Sequence, residues 1–120
     1  MNILVVDDLK SQLDLISEYL TSVGYTVATA TNAKEALVKI SEHKPDLIIT
    51  DWMMPEMSGL DLCRQLKKNS ETATIPVIAC TAKDKDVDRI WAKKQGVKAY
   101  LVKPCSKEEL ISAVDLIVSS

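Results

Sequence analysis

The chain has 120 residues, the length of a single domain, and a chain of this size can bury a hydrophobic core without disulfide bridges. Hydrophobic residues make up 47% of the sequence and charged residues 27%, proportions typical of a globular protein and not of a disordered segment. Lys and Arg number 15 against 17 Asp and Glu, so the net charge is −2. This balance argues against a nucleic-acid binder with a broad basic surface and against a polybasic membrane anchor.

The cysteines Cys63, Cys80 and Cys105 show no Cys-x-x-Cys spacing, and His43 is the single histidine that could join them at a metal. Free thiols indicate a reducing cytosol, and we expect these side chains to pack as small hydrophobic groups. The apolar run that opens the chain is too short for a signal peptide, and no run approaches the ~18 residues of a membrane helix. We therefore expect a cytoplasmic protein without membrane insertion.

Short apolar runs rich in branched residues predict strands that are buried on both faces. They lie at Ile3–Val6 and Leu47–Thr50, and further strands are predicted at Val77–Cys80 and Ala99–Val102. A more polar run at Tyr25–Ala30 predicts a strand nearer the edge of the sheet.

Apolar residues recur at helical spacing between these strands. The helical stripes contain Leu13, Ile16, Leu20 and Val23; Ala33, Ala36, Leu37 and Ile40; Leu60, Leu62, Cys63 and Leu66; Val87, Ile90 and Trp91; and Leu110, Ile111, Val114, Leu116 and Ile117. Thr31 or Asn32 is expected to cap the second helix, and Ser106 with Glu109 predicts a capping box at the last. Gly24 is expected to be the C-cap of the first helix.

This alternation of strands and helices predicts an α/β fold in which right-handed crossovers cover both faces of a parallel sheet. No linker, low-complexity tract or internal repeat interrupts the pattern. We therefore expect residues 1–120 to form a single domain without a separate output domain.

Polar residues follow the predicted strands at their carboxyl ends. Asp7 and Asp8 follow the first strand, Asp51 the third, Thr81 the fourth and Lys103 the fifth. In open α/β sheets ligands bind at this edge, near the point where the strand order reverses. The sequence therefore predicts one polar site built from all five residues.

The residue types at this site point to phosphoryl transfer. Three neighbouring carboxylates repel one another, so they require compensating cations, and a hard divalent ion such as Mg²⁺ suits oxygen ligands. A lysine and a hydroxyl supply positive charge and a hydrogen-bond donor for an oxyanion. A carboxylate can itself be the nucleophile and form an aspartyl-phosphate.

The sequence resembles the receiver domains of two-component response regulators, of the single-domain CheY type, over the whole chain. The motifs that carry this resemblance are Val5–Asp8, Asp51–Pro55, Ser58–Gly59, Thr81–Ala82 and Tyr100–Pro104. The resemblance implies a flavodoxin-like, doubly wound (βα)5 fold with a five-stranded parallel sheet in the order 2-1-3-4-5. The segment 81–96 is similar to twitching-motility and phototaxis receivers of the PilH type.

The resemblance also implies roles for individual residues. Asp51 matches the phosphoacceptor, Asp8 the direct Mg²⁺ ligand, Asp7 the acidic partner that acts through water, and the main-chain carbonyl of Met53 a further ligand. Mn²⁺ or Ca²⁺ would be the substitutes for Mg²⁺.

Further matches concern the response to phosphorylation. Thr81 and Ala82 match the phosphoryl-binding and switch segment, Lys103 the lysine that pairs with the phosphoryl group, and Tyr100 the aromatic switch. Movement of Thr81 toward the phosphoryl group would leave space for Tyr100 to fill. The family also implies a cis peptide between Lys103 and Pro104.

The family receives its phosphoryl group from a histidine kinase or phosphotransfer domain. It signals to a protein partner through the face formed by the fourth helix, the fifth strand and the fifth helix. We therefore expect a phosphorylation-dependent signalling protein, in motility or taxis, that assists its own phosphorylation and dephosphorylation. No turnover of a separate substrate is expected.

A few positions depart from the family pattern or have a simpler structural interpretation. Met53 and Lys83 lie where the family tunes the access of water to the aspartyl-phosphate, and Met53 predicts slow self-dephosphorylation. Thr81 is also a candidate N-cap of the fourth helix. Trp52 is expected to lie on the surface beside the site. Trp91 is expected to pack within the protein and not to contact a partner.

Other function classes remain as alternatives at this point. A small hydrolase with Asp51 as nucleophile would need a substrate pocket and cap elements, for which the chain has no insertion. A flavodoxin-like nucleotide site would need a Gly-, Ser- or Thr-rich loop after the first strand, where Asp7 and Asp8 stand instead. The third alternative is a receiver-like scaffold that acts without phosphorylation.

Overall fold

The computed structural model describes residues 1–119, in which five parallel strands form one sheet in the order β2-β1-β3-β4-β5. This is the predicted order. The strands are β1 (Asn2–Val6), β2 (Thr26–Ala30), β3 (Leu47–Thr50), β4 (Val77–Thr81) and β5 (Ala99–Val102). The helices between and after them are α1 (Lys10–Thr21), α2 (Ala33–Glu42), α3 (Gly59–Lys68), α4 (Asp86–Lys94) and α5 (Lys107–Val118).

The sheet separates two hydrophobic layers because successive side chains of a strand point to opposite faces. On β1, Ile3 and Val5 pack with α1 and α5, whereas Leu4 and Val6 pack with the layer that contains α2 and α3. All four side chains are at least 98% buried. Burial on both faces explains why this strand lacks an alternating polar pattern.

Side-chain caps explain where three of the helices begin. Asn32 accepts a hydrogen bond from the Glu35 N–H at 2.8 Å, which settles the choice between the two predicted caps of α2. Ser106 and Glu109 form the predicted capping box at α5. A second capping box begins α3, where the Ser58 Oγ accepts from the Asp61 N–H at 3.1 Å. This box was not predicted.

The end of α1 differs from the prediction. The helix stops at Thr21 with Ser22 as its C-cap, so Gly24 lies two residues further on, with a φ of +98° that favours glycine. Val23 lies outside the helix and is 46% exposed, so it does not extend the buried stripe. In α5, Leu116 is 73% exposed and likewise lies outside the core.

Helix α4 packs differently from the predicted stripe. Val87, Ile90 and Trp91 are each about half exposed, and Ala92 is the residue of this helix that is buried. The packing interpretation of Trp91 was therefore wrong. The small Ala92 side chain faces the core, and the larger apolar side chains of the helix therefore lie toward the surface. The Trp91 ring instead lies 5.4 Å from the Lys94 ammonium, at the distance of a cation–π contact.

Within residues 1–119 no helix has both the length and the apolar character that crossing a membrane requires.

Candidate functional site

The predicted polar residues meet at the carboxyl edge of the sheet, where the strand order reverses between β1 and β3. Asp7 and Asp8 follow β1, and Asp51 follows β3. The Asp51 N–H donates to the Val6 carbonyl at 3.0 Å, and the Asp7 N–H donates to the Ala30 carbonyl at 3.1 Å. These bonds extend the strand pairing by one residue and hold both aspartates at the edge.

The three carboxylates form a compact cluster. Asp7, Asp8 and Asp51 each offer an oxygen, and these oxygens all lie within 4.8 Å of one another. Asp7 and Asp51 are buried, whereas Asp8 is exposed. Backbone donors hold the buried pair, because Asp7 Oδ1 accepts from the Leu9 N–H and Asp51 Oδ1 accepts from the Met53 N–H, both at 3.0 Å. The cluster is thus open to solvent through Asp8.

Lys103 brings a positive charge into this cluster from the end of β5. Its Nζ donates to Asp51 Oδ2 at 3.0 Å and also to Asp7 Oδ2, and its side chain is 12% exposed. The Lys103 N–H donates to the Thr81 carbonyl at 2.8 Å, which fixes the direction of the chain beyond β5. The following Lys103–Pro104 peptide is cis.

Burial and charge shift the pKa values in this cluster. Burial raises the pKa of Asp7 and outweighs the opposing hydrogen bonds from Lys103 and the Leu9 N–H. Burial acts to lower the pKa of Lys103, but its hydrogen bonds to Asp7 and Asp51 and the charges of both carboxylates outweigh this effect and raise it. The ammonium group therefore remains charged at neutral pH.

The donor set fits a hard divalent cation. Three carboxylates and one ammonium leave about two uncompensated negative charges at the edge. Carboxylate oxygens are the ligands that Mg²⁺ prefers, and such sites leave other positions for water and phosphate oxygens. Among the described residues, no hydrogen bond or ion pair engages the exposed Asp8 carboxylate, so its oxygens are available to a cation.

Thr81 lies at the same edge and is fully buried. It is the last residue of β4, paired with Val102 of β5, and not the residue after the strand as predicted. It is also not the cap of α4, because that helix begins five residues later, at Asp86 with Lys85 as N-cap. The next residue, Ala82, is exposed.

A chain of two hydrogen bonds connects Thr81 with Tyr100. The Lys83 N–H donates to Thr81 Oγ1 at 3.4 Å, and the Tyr100 hydroxyl donates to the Lys83 carbonyl at 2.9 Å. The Tyr100 ring is partly buried against the α2/α3 layer, with the Arg89 guanidinium 5.3 Å from its centroid. Sequence reasoning assigned Lys83 only to water access and missed this backbone connection.

The loop after β3 is anchored by Trp52, contrary to the prediction that this side chain lies on the surface. Trp52 is 4% exposed and belongs to the α2/α3 layer, whereas Met53 is 51% exposed at the rim of the site. A Cβ on Gly59 would lie 2.2 Å from the Asp51 carbonyl oxygen and 2.8 Å from the Trp52 ring. The glycine of the Ser58–Gly59 motif thus lets α3 begin directly behind Asp51.

The arrangement combines a carboxylate that could act as a nucleophile, a paired lysine, a hydroxyl and oxygens that could bind a cation. These groups are the requirements of phosphoryl transfer to a side chain, in which positioning and charge neutralisation provide the catalysis.

Comparisons with known proteins give a consistent result. Residues 3–115 match the family described as response regulator receiver domain. The chain is 35% identical over 117 residues to Protein PilH of Pseudomonas aeruginosa. The aligned residues cover 98% of this chain and 97% of that protein. It is 38% identical over 112 residues to the phosphate regulon transcriptional regulatory protein PhoB of Rhizobium meliloti, but spans only 49% of the length of that protein.

Solved structures agree with this relationship. The chemotaxis protein CheY4 of Vibrio cholerae superposes with a TM-score of 0.91 at 30% identity, over 97% of each chain. The signal receiver domain of a signal transduction histidine kinase from Syntrophus aciditrophicus gives a TM-score of 0.90 at 36% identity, over 98% of this chain and 89% of that one. The chain therefore belongs to the response regulator receiver domain family and is a phospho-accepting protein of two-component signal transduction.

Proposed function

We propose that Asp51 accepts a phosphoryl group from a histidine kinase or phosphotransfer domain, and that the phosphorylated chain signals to a protein partner. One observation carries this assignment: the Lys103 ammonium contacts both Asp51 and Asp7 at the edge of the sheet, beside the free carboxylate of Asp8. A buried carboxylate that pairs with a cation and lies next to a solvent-open cluster can meet a phosphodonor from solution.

The oxygen atoms of this site are suited to binding a divalent metal ion. The carboxylates of Asp7, Asp8 and Asp51 and the main-chain carbonyl of Met53 would hold Mg²⁺, which supplies positive charge against the oxygens of the transferring phosphoryl group. The donor set supports this assignment, and the excess of negative charge explains why a cation is needed.

In the transfer step, an oxygen of Asp51 forms a bond to phosphorus as the bond to the donor's leaving group breaks. Phosphorylation converts one negative charge into about two and adds three acceptor oxygens. Lys103 then pairs with a phosphoryl oxygen in place of the Asp51 carboxylate. The Thr81 hydroxyl donates a hydrogen bond to a second phosphoryl oxygen, because Thr81 lies at the end of β4 beside Lys103.

Movement of Thr81 would be transmitted to Tyr100 through Lys83. Thr81 Oγ1 now accepts from the Lys83 N–H, and the Lys83 carbonyl accepts from Tyr100. Rotation of Thr81 toward a phosphoryl oxygen removes the first bond and frees the segment that holds the second. A few charge-assisted hydrogen bonds of ~1.5–3 kcal/mol each are enough to bias such a two-state surface.

The downstream partner binds the α4-β5-α5 face in this proposal. The exposed apolar residues Val87, Ile90 and Trp91 of α4 support a protein contact there, because a cluster of exposed apolar side chains favours association. The similarity to PilH supports a role in motility or taxis. The free thiols support a cytoplasmic location, and we propose no turnover of a separate substrate.

Intact mass spectrometry after incubation with acetyl phosphate and Mg²⁺ tests the proposal. We expect a single phosphoryl adduct. It should not form when EDTA is present during the incubation, and it should not form in Asp51→Asn. An adduct that persists in Asp51→Asn would assign the phosphoacceptor to another residue. A folded protein that forms no adduct would contradict the proposal and favour the phosphorylation-independent scaffold.

A further inference from the structure

We propose that Cys80 and Cys105 form a reversible disulfide that makes this receiver sensitive to peroxide. Their sulfur atoms lie 3.7 Å apart, although the residues are separated by 25 positions in the chain. Cys80 is in β4 and Cys105 is in the loop between β5 and α5. A disulfide of ~2.05 Å requires the two sulfurs to approach each other by about 1.7 Å.

The pairing is specific because the third cysteine lies on the other side of the sheet. Cys80 and Cys105 pack in the layer of α1 and α5, whereas Cys63 lies in the layer of α2 and α3. Cys63 is 1% exposed and its thiol donates to the Gln95 carbonyl at 3.6 Å. Cys63 is therefore a natural internal control for the pair.

The two thiols have different accessibility and acidity, as expected of an attacking and a resolving cysteine. Cys105 is partly exposed, whereas Cys80 is 1% exposed. The hydrogen bond from Cys80 lowers the pKa of Cys105 to about 7, with Lys103 acting in the same direction and burial and Glu109 against it. The same hydrogen bond, followed by burial, raises the pKa of Cys80. Cys105 is thus the thiolate that meets the oxidant.

The chemistry balances with one hydrogen peroxide per disulfide. The Cys105 thiolate attacks a peroxide oxygen, an S–O bond forms, the O–O bond breaks, and the departing hydroxide takes a proton to become water. The Cys80 sulfur then attacks the Cys105 sulfur, an S–S bond forms, and the S–O bond breaks. The hydroxide released takes the Cys80 proton and leaves as a second water. Two thiols are oxidised by two electrons, which peroxide accepts.

The position of the disulfide links it to the phosphorylation site. Cys80 directly precedes Thr81, and Cys105 follows Lys103 by two residues. A covalent bond between them would tie the strand end that carries Thr81 to the loop behind Lys103. This consequence rests on the proposed function, since it assumes that both residues rearrange around a phosphoryl group. We expect oxidation to slow phosphorylation by several-fold.

Intact mass under non-reducing conditions tests disulfide formation independently of phosphorylation. Fully reduced protein treated with hydrogen peroxide should lose about 2 Da, and dithiothreitol should restore the mass. A peptide map should join the segments that contain Cys80 and Cys105. Cys63→Ser should behave as wild type, whereas Cys105→Ser, at a partly exposed position, should form no intramolecular bridge. A folded wild-type protein that forms no bridge, or a bridge to Cys63, would overturn the proposal.

The link to signalling is measured on the same samples. Reduced and oxidised Cys63→Ser protein is incubated with acetyl phosphate and Mg²⁺, and the rate of adduct formation is compared. A several-fold lower rate after oxidation, reversed by dithiothreitol and absent in the Cys63→Ser/Cys105→Ser double variant, supports the regulatory role. Equal rates in protein that carries the disulfide would overturn that role. If even reduced protein forms no adduct, the proposed function fails and the disulfide is judged by mass alone.

Discussion

The Lys103 ammonium contacts two carboxylates, Asp7 and Asp51, that would otherwise repel each other. Its hydrogen bonds to both hold a charged lysine in a largely buried position and raise its pKa despite the cost of burial. The same contacts hold the two carboxylates in place at the edge of the sheet. A residue with a single positive charge thus prepares the site without neutralising it.

Met53 leads to a prediction about the lifetime of the aspartyl-phosphate. Its side chain is 51% exposed at the rim of the site and offers no group that can orient a water molecule. We expect Met53→Asn to shorten the half-life of the phosphorylated protein several-fold. This effect is smaller than the ~100-fold rate increase that a positioned general base provides. The half-life is measured by intact mass spectrometry, which follows the loss of the phosphoryl adduct with time. Met53→Leu is the matched control, and a longer-lived Met53→Asn adduct would contradict the prediction.

Cys105 leads to a prediction about pH. Since the hydrogen bond from Cys80 lowers its pKa to about 7, Cys105 is a protonated, slow thiol below that pH and a reactive thiolate above it. We expect its alkylation by iodoacetamide to rise through half-maximum near pH 7, as read from peptide masses. Burial raises the pKa of Cys63, which should remain unmodified in the folded protein. A midpoint above pH 8 would show that Cys80 does not donate to the Cys105 thiolate.

At the scale of elements, the loop after β3 and helix α4 contribute very differently to the core. The loop carries Trp52 into the α2/α3 layer and lies directly against the first residue of α3. Helix α4 contributes Ala92 and leaves Trp91 about half exposed. The site is therefore bordered on one side by a firmly packed loop and on the other by a helix with little buried apolar surface.

The contact between the loop and α3 predicts a large effect of a single methyl group. Gly59→Ala would place a Cβ 2.2 Å from the Asp51 carbonyl, so the loop or the helix must shift. We expect the free energy of unfolding to fall by ~1–3 kcal/mol and phosphorylation of Asp51 to slow. Gly24→Ala is the comparison, because its Cβ meets nothing within 4 Å and only its φ is strained. Equal phosphorylation rates in Gly59→Ala and wild type would contradict the close approach.

The two tryptophans provide a matched pair for stability. We expect Trp52→Ala to lower the free energy of unfolding by ~3–5 kcal/mol, since it empties a buried position. Trp91→Ala should cost less than ~1 kcal/mol, because its side chain is 49% exposed. Urea unfolding followed by circular dichroism measures both, with Trp52→Phe available if the alanine variant does not fold. Similar losses for the two alanine variants would contradict the packing described above.

At the scale of the whole molecule, the doubly wound topology concentrates charge at one edge. The chain has a net charge of only −2, yet three carboxylates converge where β1 and β3 end. Strand order decides this, because Asp7 and Asp51 are distant in sequence but follow neighbouring strands. A cation bound at this edge would therefore be coupled to the global stability of the protein.

This coupling predicts that Mg²⁺ stabilises the fold. Once the ion exceeds its dissociation constant, each tenfold increase should add ~1.4 kcal/mol to the free energy of unfolding, measured by urea titration at fixed ionic strength. Asp8→Asn should remove most of this response. Asp14→Asn is the control, since it removes an exposed carboxylate of α1 that pairs with Lys10. A response that remains undiminished in Asp8→Asn would contradict the assignment of the ion to this edge.

The fold and the location of the site could be predicted because both depend on periodic patterns. Continuous apolar runs such as Leu47–Thr50 indicated doubly buried strands, and the polar residue after each run had to lie at the common edge of a parallel sheet. The capping box at Ser106 and Glu109 was predictable for the same reason, since it is a local interaction at fixed spacing.

The remaining features depend on which way a loop or a helix turns, and local pattern does not decide this. Trp52 enters the core because its loop folds back against Gly59, and Trp91 faces outward because Ala92 takes the buried position of α4. The contact between Cys80 and Cys105 arises from two distant segments that pack in one layer. The sequence by itself thus determined the strands, their polar ends and the chemistry of the site. The tertiary structure alone decided which side chains anchor the site and which meet across the chain, because those contacts depend on long-range packing.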